Sequence, residues 1–162
     1  MNTKHVAAFL ALGLALACGG NQAVRMNESS DLPGTRWQGT VSSPPNLDGA
    51  VEMSGTAWMA EAEGSDGRTR VQVSISNAAP GGVHPWAVRH GQCGSDRGVF
   101  GESASYEPME VENNGRATAS AMVNEPLPAG GEHSVAIMAS PTNRELIVAC
   151  ANLAPPVSAG FR

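Results

Sequence analysis

Short runs of alternating apolar and polar residues dominate the chain after about residue 50. In "TRVQVSIS", Val71, Val73 and Ile75 occupy one parity and polar residues occupy the other. A period of two is typical of a strand with one buried face, so this run predicts a strand. Two further runs, "AVEMSGTAWMAEAE" and "ATASAMV", place small or apolar residues on one parity: Val51, Met53, Gly55, Ala57 and Met59, then Ala117, Ala119, Ala121 and Val123.

Three more runs, "VHPWAVRH", "HSVAIMAS" and "ELIVACANL", complete the set of predicted strands. Turn-forming residues separate the runs, in "EGSDGR", "NAAPGG" and "ENNGRA". No run carries a sustained helical stripe of apolar residues. The pattern therefore predicts an all-β domain, an antiparallel sandwich or barrel. Aromatic residues make up only 4% of the chain, so its core is expected to consist mainly of Val, Ile, Ala and Met.

The first residues have a different pattern. A basic start at Lys4 precedes an apolar run from Val6 to Ala17, which is too short to span a bilayer and has the length of a signal-peptide core. The run ends at Cys18, and this arrangement resembles a bacterial lipoprotein signal. An ordinary secretory signal with an incidental Cys18 is the alternative.

These features divide the chain into a signal peptide (1–17), a lipidated cysteine with a flexible tether (18–35) and a β domain (36–162). The expected location is the bacterial cell envelope. A lipid anchor would hold the protein at the outer membrane, where the protein would face either the periplasm or the cell surface. Without Lys4, nine basic residues, all arginine, face 15 acidic residues, which gives a net charge of −6. Such a charge argues against a nucleic-acid partner, and the lipid would have to supply the membrane attachment. A protein partner cannot be named from the sequence.

If Cys18 carries lipid, Cys93 and Cys150 remain, and an exported compartment allows them to form a disulfide. No CxxC pair suggests a zinc site. The chain also lacks the GxGxxG, P-loop, HExxH and GxSxG motifs. We therefore expect no nucleophilic triad.

Three segments in order, "PGGVHPWAVRHGQCG", "YEPMEVENNGRATA" and "LIVACANL", resemble the copper/zinc superoxide dismutase family. The resemblance covers roughly residues 50–153. It implies an eight-stranded Greek-key β-barrel or sandwich, with Cys93 and Cys150 as its disulfide. It also implies that His84 is a structural histidine rather than a metal ligand.

The same resemblance assigns the copper-ligand positions to Ala87, Arg89 and Met138, so the metal site is expected to be degenerate. A methyl group cannot bind copper, and a guanidinium stays protonated. Ile147 occupies the position of the family's substrate-guiding arginine. The shortened loop at 94–105 contains no histidine.

After Cys18 the chain has three histidines, His84, His90 and His133, which are too few for the family's two-metal site. We therefore expect no catalytic residues, no resident copper or zinc, and a structural or interaction role. Arg89 is expected to pair with Asp96 or Glu102. The alternatives are an active copper/zinc dismutase with a rearranged site, or a metal-binding or trafficking module. A weak Cu(I) or Zn(II) site would use His90, His133 or Met138.

Overall fold

The computed structural model describes residues 35–157, except 48, 50, 51, 65, 66 and 96. These residues form an all-β structure with two short 3-10 turns, Pro45–Leu47 and Ser103–Ser105. The strands are β1 (Trp37–Ser42), β2 (Ser54–Glu61), β3 (Thr69–Ser76), β4 (Val83–His84), β5 (Trp86–His90), β6 (Met109–Glu110), β7 (Ala117–Val123), β8 (His133–Ser140) and β9 (Asn143–Leu153).

Seven of the strands form one curled antiparallel sheet, a half-barrel. Their spatial order is β5-β8-β9-β1-β2-β3-β7, and β4 pairs with β6 in a separate two-stranded ribbon. The sheet therefore brings β5 beside β8, although 42 residues separate the end of one strand from the start of the other. This strand pair positions most of the candidate site residues.

The core lies on the concave face of the sheet. The alternation predicted in β3 is confirmed, because Val71, Val73 and Ile75 are all buried. The predicted apolar parity of β7 is confirmed in the same way, with Ala117 and Val123 buried. Trp37 and Trp86 are the largest fully buried side chains of the described residues, so the scarce aromatics concentrate in the core.

The run "VHPWAVRH" forms two strands rather than the single predicted one. Pro85 separates β4 from β5 and has no N–H to donate to a neighbouring strand. Its carbonyl still accepts a hydrogen bond from the Met138 N–H at 2.8 Å, which aligns β5 with β8. The proline thus allows β4 to turn away and pair with β6.

The alternation pattern did not predict β1 and β6. In β1, Gly39 stands between the buried residues Trp37 and Val41, so only two apolar side chains mark the buried parity. A Cβ at Gly39 would collide with the carbonyl of Asn152 on β9, so close strand packing requires glycine at this position. β6 is only two residues long, which is too short to produce a periodic pattern.

Several parts of the sequence prediction lie outside the described residues: the signal peptide, Cys18 and the tether up to residue 34, Val51, Asp96 and residues 158–162. No helix among the described residues is long and apolar enough to cross a membrane.

Candidate functional site

The candidate site is built on the antiparallel pair of β5 and β8. Its register aligns Trp86 with Ile137 at one end and His90 with His133 at the other. Because successive side chains on a strand point to opposite faces, this pair presents two different surfaces. One faces outward from the half-barrel, and the other begins in the core and continues to the end of the barrel.

The outward face brings together the three positions that the sequence resemblance assigned to copper ligands. Ala87, Arg89 and Met138 line one open pocket of about 450 Å³. Ala87 and Met138 are 4% and 6% exposed, whereas Arg89 is half-buried. The pocket therefore offers a methyl group, a thioether and a fixed cation, and no imidazole.

Arg89 also borders a second pocket, of about 530 Å³, which contains Ser134, Ile147 and Cys150. Arg144 lines both pockets beside Arg89. Ile147, which occupies the position of a substrate-guiding arginine in the resemblance, thus lies on the same surface as Arg89. The carboxylates of Glu145 and Glu107 border these pockets as well, so charges of both signs meet on this surface.

The loop between Cys93 and Tyr106 is held against the free edge of β5. The His90 N–H donates to the Gly98 carbonyl at 3.1 Å, and the Phe100 N–H donates to the Val88 carbonyl at 2.9 Å. Burial raises the pKa of Tyr106 above its usual range, so its O–H stays protonated and donates to the Phe100 carbonyl at 2.8 Å. Backbone pairing and buried aromatic rings therefore fix this loop.

His84 lies at the opposite end of the strand pair from His90. It is 7% exposed, and its Nδ1 lies 3.0 Å from the Met138 carbonyl. Its Nε2 is buried and has no hydrogen-bond partner. A Cβ on Gly82 would lie 3.0 Å from that nitrogen, so the glycine leaves room for the imidazole.

The other two histidines meet across the strand pair. The ring centres of His90 and His133 are 5.4 Å apart, and the ring planes are tilted by 56°. Phe100 lies 5.8 Å from each ring, and Trp37 meets His133 edge-on at 5.1 Å. His133 is 5% exposed, whereas His90 reaches solvent. Met138 lies on the outward pocket, away from this pair.

The environment of His133 favours a neutral ring. Its pKa is lowered mainly by burial, and the nearby His90 lowers it further. A hydrogen bond with the backbone of Gly130 raises the pKa and so opposes these effects. A hydrogen bond that raises the pKa is one that the ring N–H donates.

A disulfide joins Cys93 to Cys150, as predicted, and closes a loop of 57 residues. Cys93 is exposed and follows β5, whereas Cys150 is half-buried on β9. The Cys93 N–H also donates to Oδ1 of Asn152 at 2.7 Å. The disulfide thus attaches the start of the outward-face loop to β9, an interior strand of the sheet.

Within the described residues, no group of three or more His, Cys, Asp and Glu side chains could hold a metal ion. The partner of Arg89 stays a prediction, because Asp96 lies outside those residues. The outward face therefore presents charged groups, while the His90–His133 pair presents two imidazole rings.

Sequence reasoning missed two features of this region. Arg144 lines the same pocket as Arg89 because β9 lies beside β8 in the sheet. The sequence around residue 144 does not indicate this strand order. The pairing of His90 with His133 depends on strand register, which the spacing of the two residues does not reveal. The available signal was that His90 ends one predicted strand and His133 begins another, so the two could meet if these strands were antiparallel neighbours.

A scan against protein-family models finds no match to this chain, and a search of curated proteins finds no significant match.

Proposed function

We propose that this chain is an exported envelope lipoprotein whose β domain has the copper/zinc superoxide dismutase fold without dismutase activity. Its role is then structural or is interaction with another envelope component. The observation that carries this proposal is the pocket lined by Ala87, Arg89 and Met138. The three positions that the resemblance gives to copper ligands share one surface, and none of them offers a nitrogen donor.

The order of the strands supports the Greek-key part of this proposal. β7 lies beside β3 although three strands intervene in the sequence, and β9 returns to lie beside β1. A connection that returns a later strand to the side of the first is one feature of Greek-key folds, and the position of β9 beside β1 agrees with it. The Cys93–Cys150 disulfide agrees with the same resemblance.

Charge argues against a metal ion on the outward face. At a separation of ~5 Å and an effective dielectric of about 20, a guanidinium and a divalent ion repel each other by about 7 kcal/mol. This energy corresponds to several orders of magnitude in affinity. Arg89 therefore disfavours copper or zinc in this pocket and attracts carboxylates instead.

Restoring the missing donors tests the proposal. The variant Ala87→His/Arg89→His/Met138→His, made in a His90→Ala background, is expected to gain one bound copper per chain on the outward face. The matched control Ala87→His/Met138→His keeps the Arg89 cation and is expected to bind copper much more weakly. Failure of the triple variant to bind copper, although folded, would contradict the assignment of these positions.

The export part of the proposal rests on the apolar run from Val6 to Ala17, which ends at Cys18. Cys18 is then diacylated and begins the mature chain, and the residues up to 35 act as a tether. Globomycin treatment or Cys18→Ser is expected to cause the precursor to accumulate. Unchanged processing to a protein free of lipid would refute the lipoprotein assignment.

A further inference from the structure

We propose that His90 and His133 form a two-imidazole site for a borderline divalent metal ion, with Cu(II) bound most tightly. The site lies at the barrel end of the β5–β8 pair, separate from the degenerate positions on the outward face. It does not rest on the proposed function, because none of its residues belongs to the outward pocket.

The strand register places the two histidines in the closest kind of cross-strand pair. His90 is aligned with His133, and the adjacent Gly91 N–H donates to the Glu132 carbonyl at 2.7 Å. Hydrogen-bonded and non-hydrogen-bonded pairs alternate along an antiparallel ladder, so His90 and His133 form a non-hydrogen-bonded pair. Side chains approach most closely in such pairs.

The distance between the rings fits a shared ion. With a metal–nitrogen distance of about 2.1 Å, an imidazole holds its ring centre about 3.2 Å from the ion, so two rings on one tetrahedral ion have centres about 5 Å apart. The observed separation is 5.4 Å. Because His90 is exposed, a small rotation of its side chain can close the remaining gap.

The hydrogen bonding of His133 leaves one nitrogen for a ligand. Nδ1 is buried and has no hydrogen-bond partner. Nε2 lies on the side of the turn at residues 130–131, since a Cβ on Gly131 would lie 3.6 Å from it. Nδ1 is therefore the nitrogen of His133 that has a lone pair to offer to a metal ion.

The neighbouring polar groups leave the remaining coordination positions to water. Glu132 accepts a hydrogen bond from Nε2 of Gln92 at 2.8 Å and lies 3.9 Å from the Arg97 guanidinium. Its carboxylate is thus occupied at the surface. Two imidazoles and water suit Cu(II), Ni(II) and Zn(II), and among these Cu(II) has the highest affinity for nitrogen ligands.

His84 provides an internal comparison. It also has a buried nitrogen without a partner, Nε2. No second histidine aligns with it across the strands, since its register partner is Met109. A metal site is therefore assigned to the paired histidines and not to His84.

The test is titration of the full-length protein, purified without a polyhistidine tag, with Cu(II) chloride. We expect one ion per chain and an electron paramagnetic resonance spectrum with coupling to two nitrogens. His90→Ala is expected to weaken the affinity by more than about tenfold, because loss of even an outer-shell partner costs a metal site about 10- to 100-fold. Gln92→Ala, the matched control at the same strand end, leaves Glu132 beside the Arg97 guanidinium and is expected to bind like the wild type.

A second measurement is the thermal midpoint in Zn(II). Zn(II) is expected to raise the thermal midpoint of the wild type and of Gln92→Ala but not that of His90→Ala, because an ion that binds the folded state stabilises that state. A metal ion bound at the N-terminus would affect all the proteins equally, because they share the same N-terminal residues. Such binding could not produce a difference between the wild type and His90→Ala. Equal Cu(II) affinity and spectra in the wild type and His90→Ala would overturn the site, as would the absence of a bound ion in the wild type. Either result would leave the proposal for the outward face intact.

Discussion

The two surfaces of the β5–β8 pair differ in the chemistry that they present. On the outward face, Ala87, Arg89 and Met138 share a pocket with no nitrogen donor. At the barrel end, the ring centres of His90 and His133 lie 5.4 Å apart, so two imidazoles lie close together. Both surfaces depend on the same backbone register of β5 and β8. The difference in their chemistry therefore comes from the side chains alone.

The backbone pairing of β5 with β8 is therefore independent of which side chains the two strands carry on each surface. The backbone pairing of β5 with β8 is complete from Trp86 to His90, whether or not a residue on it could bind a metal. Core packing explains this independence, because Trp86 and Val88 are fixed by burial on the inner face. Arg89 is half-buried on the outward face and can change without disturbing that packing, whereas Ala87 is itself buried.

The largest expected effect concerns the disulfide that supports both surfaces. Cys93→Ala/Cys150→Ala should lower the free energy of unfolding by about 2–5 kcal/mol, because it releases a long closed loop in the unfolded chain. Urea unfolding followed by fluorescence measures this loss. At urea concentrations below the unfolding midpoint, where the variant is folded, it should keep the Cu(II) spectrum of the histidine pair. The reason is that backbone pairing, rather than the disulfide, sets the register of β5 and β8.

A stability equal to that of the oxidised wild type would contradict the structural role of the disulfide. Two thiols titrated in oxidised, unfolded wild-type protein would contradict the pairing itself. Loss of the copper spectrum in the folded double variant would mean that the two surfaces are not independent.

A smaller effect is expected from Arg89→Ala. The half-buried side chain borders both outward pockets beside Arg144, so its removal should cost about 1 kcal/mol of stability. Copper content should not change, because the histidine pair is not altered. Arg144→Ala, an exposed neighbour, serves as the matched control and should cost less. A rise in bound copper in Arg89→Ala would mean that the cation alone had excluded the metal.

The smallest expected effect is a pH dependence at the barrel end. Burial lowers the pKa of His133 below its ordinary value of 6.5, so the unfolded chain binds the proton more tightly than the folded chain does. The stability that His133 contributes is therefore complete above about pH 6.5 and falls as the pH drops through the folded-state pKa.

Urea unfolding at about pH 7.5 and about pH 5.5, with a chelator present, measures this dependence. His133→Phe keeps an aromatic ring beside Trp37 and should lose part of the acid sensitivity, whereas Gln92→Ala should retain it. An identical pH dependence in the wild type and His133→Phe would contradict the assignment.

Local periodicity was sufficient to predict most strands and the buried face of β3. It could not predict β1, because Gly39 interrupts the apolar parity, nor the break at Pro85 that separates β4 from β5. Which strands pair depends on long-range packing, and no local pattern carries that information.

The site was predictable to a similar extent. Simple residue chemistry indicated that Ala87 and Arg89 cannot bind copper, and cysteine counting predicted the disulfide. The juxtaposition of His90 with His133 and that of Arg89 with Arg144 depend on tertiary register, so the structure was needed to reveal them.

We propose that the outward face supports no redox metal chemistry. The most direct test is a superoxide dismutation assay on the copper-saturated His90→Ala variant, purified without a tag and freed of loosely bound metal by gel filtration. We expect no stoichiometric copper and no dismutation above that of a buffer blank. One copper per chain with metal-dependent dismutation in this variant would contradict it.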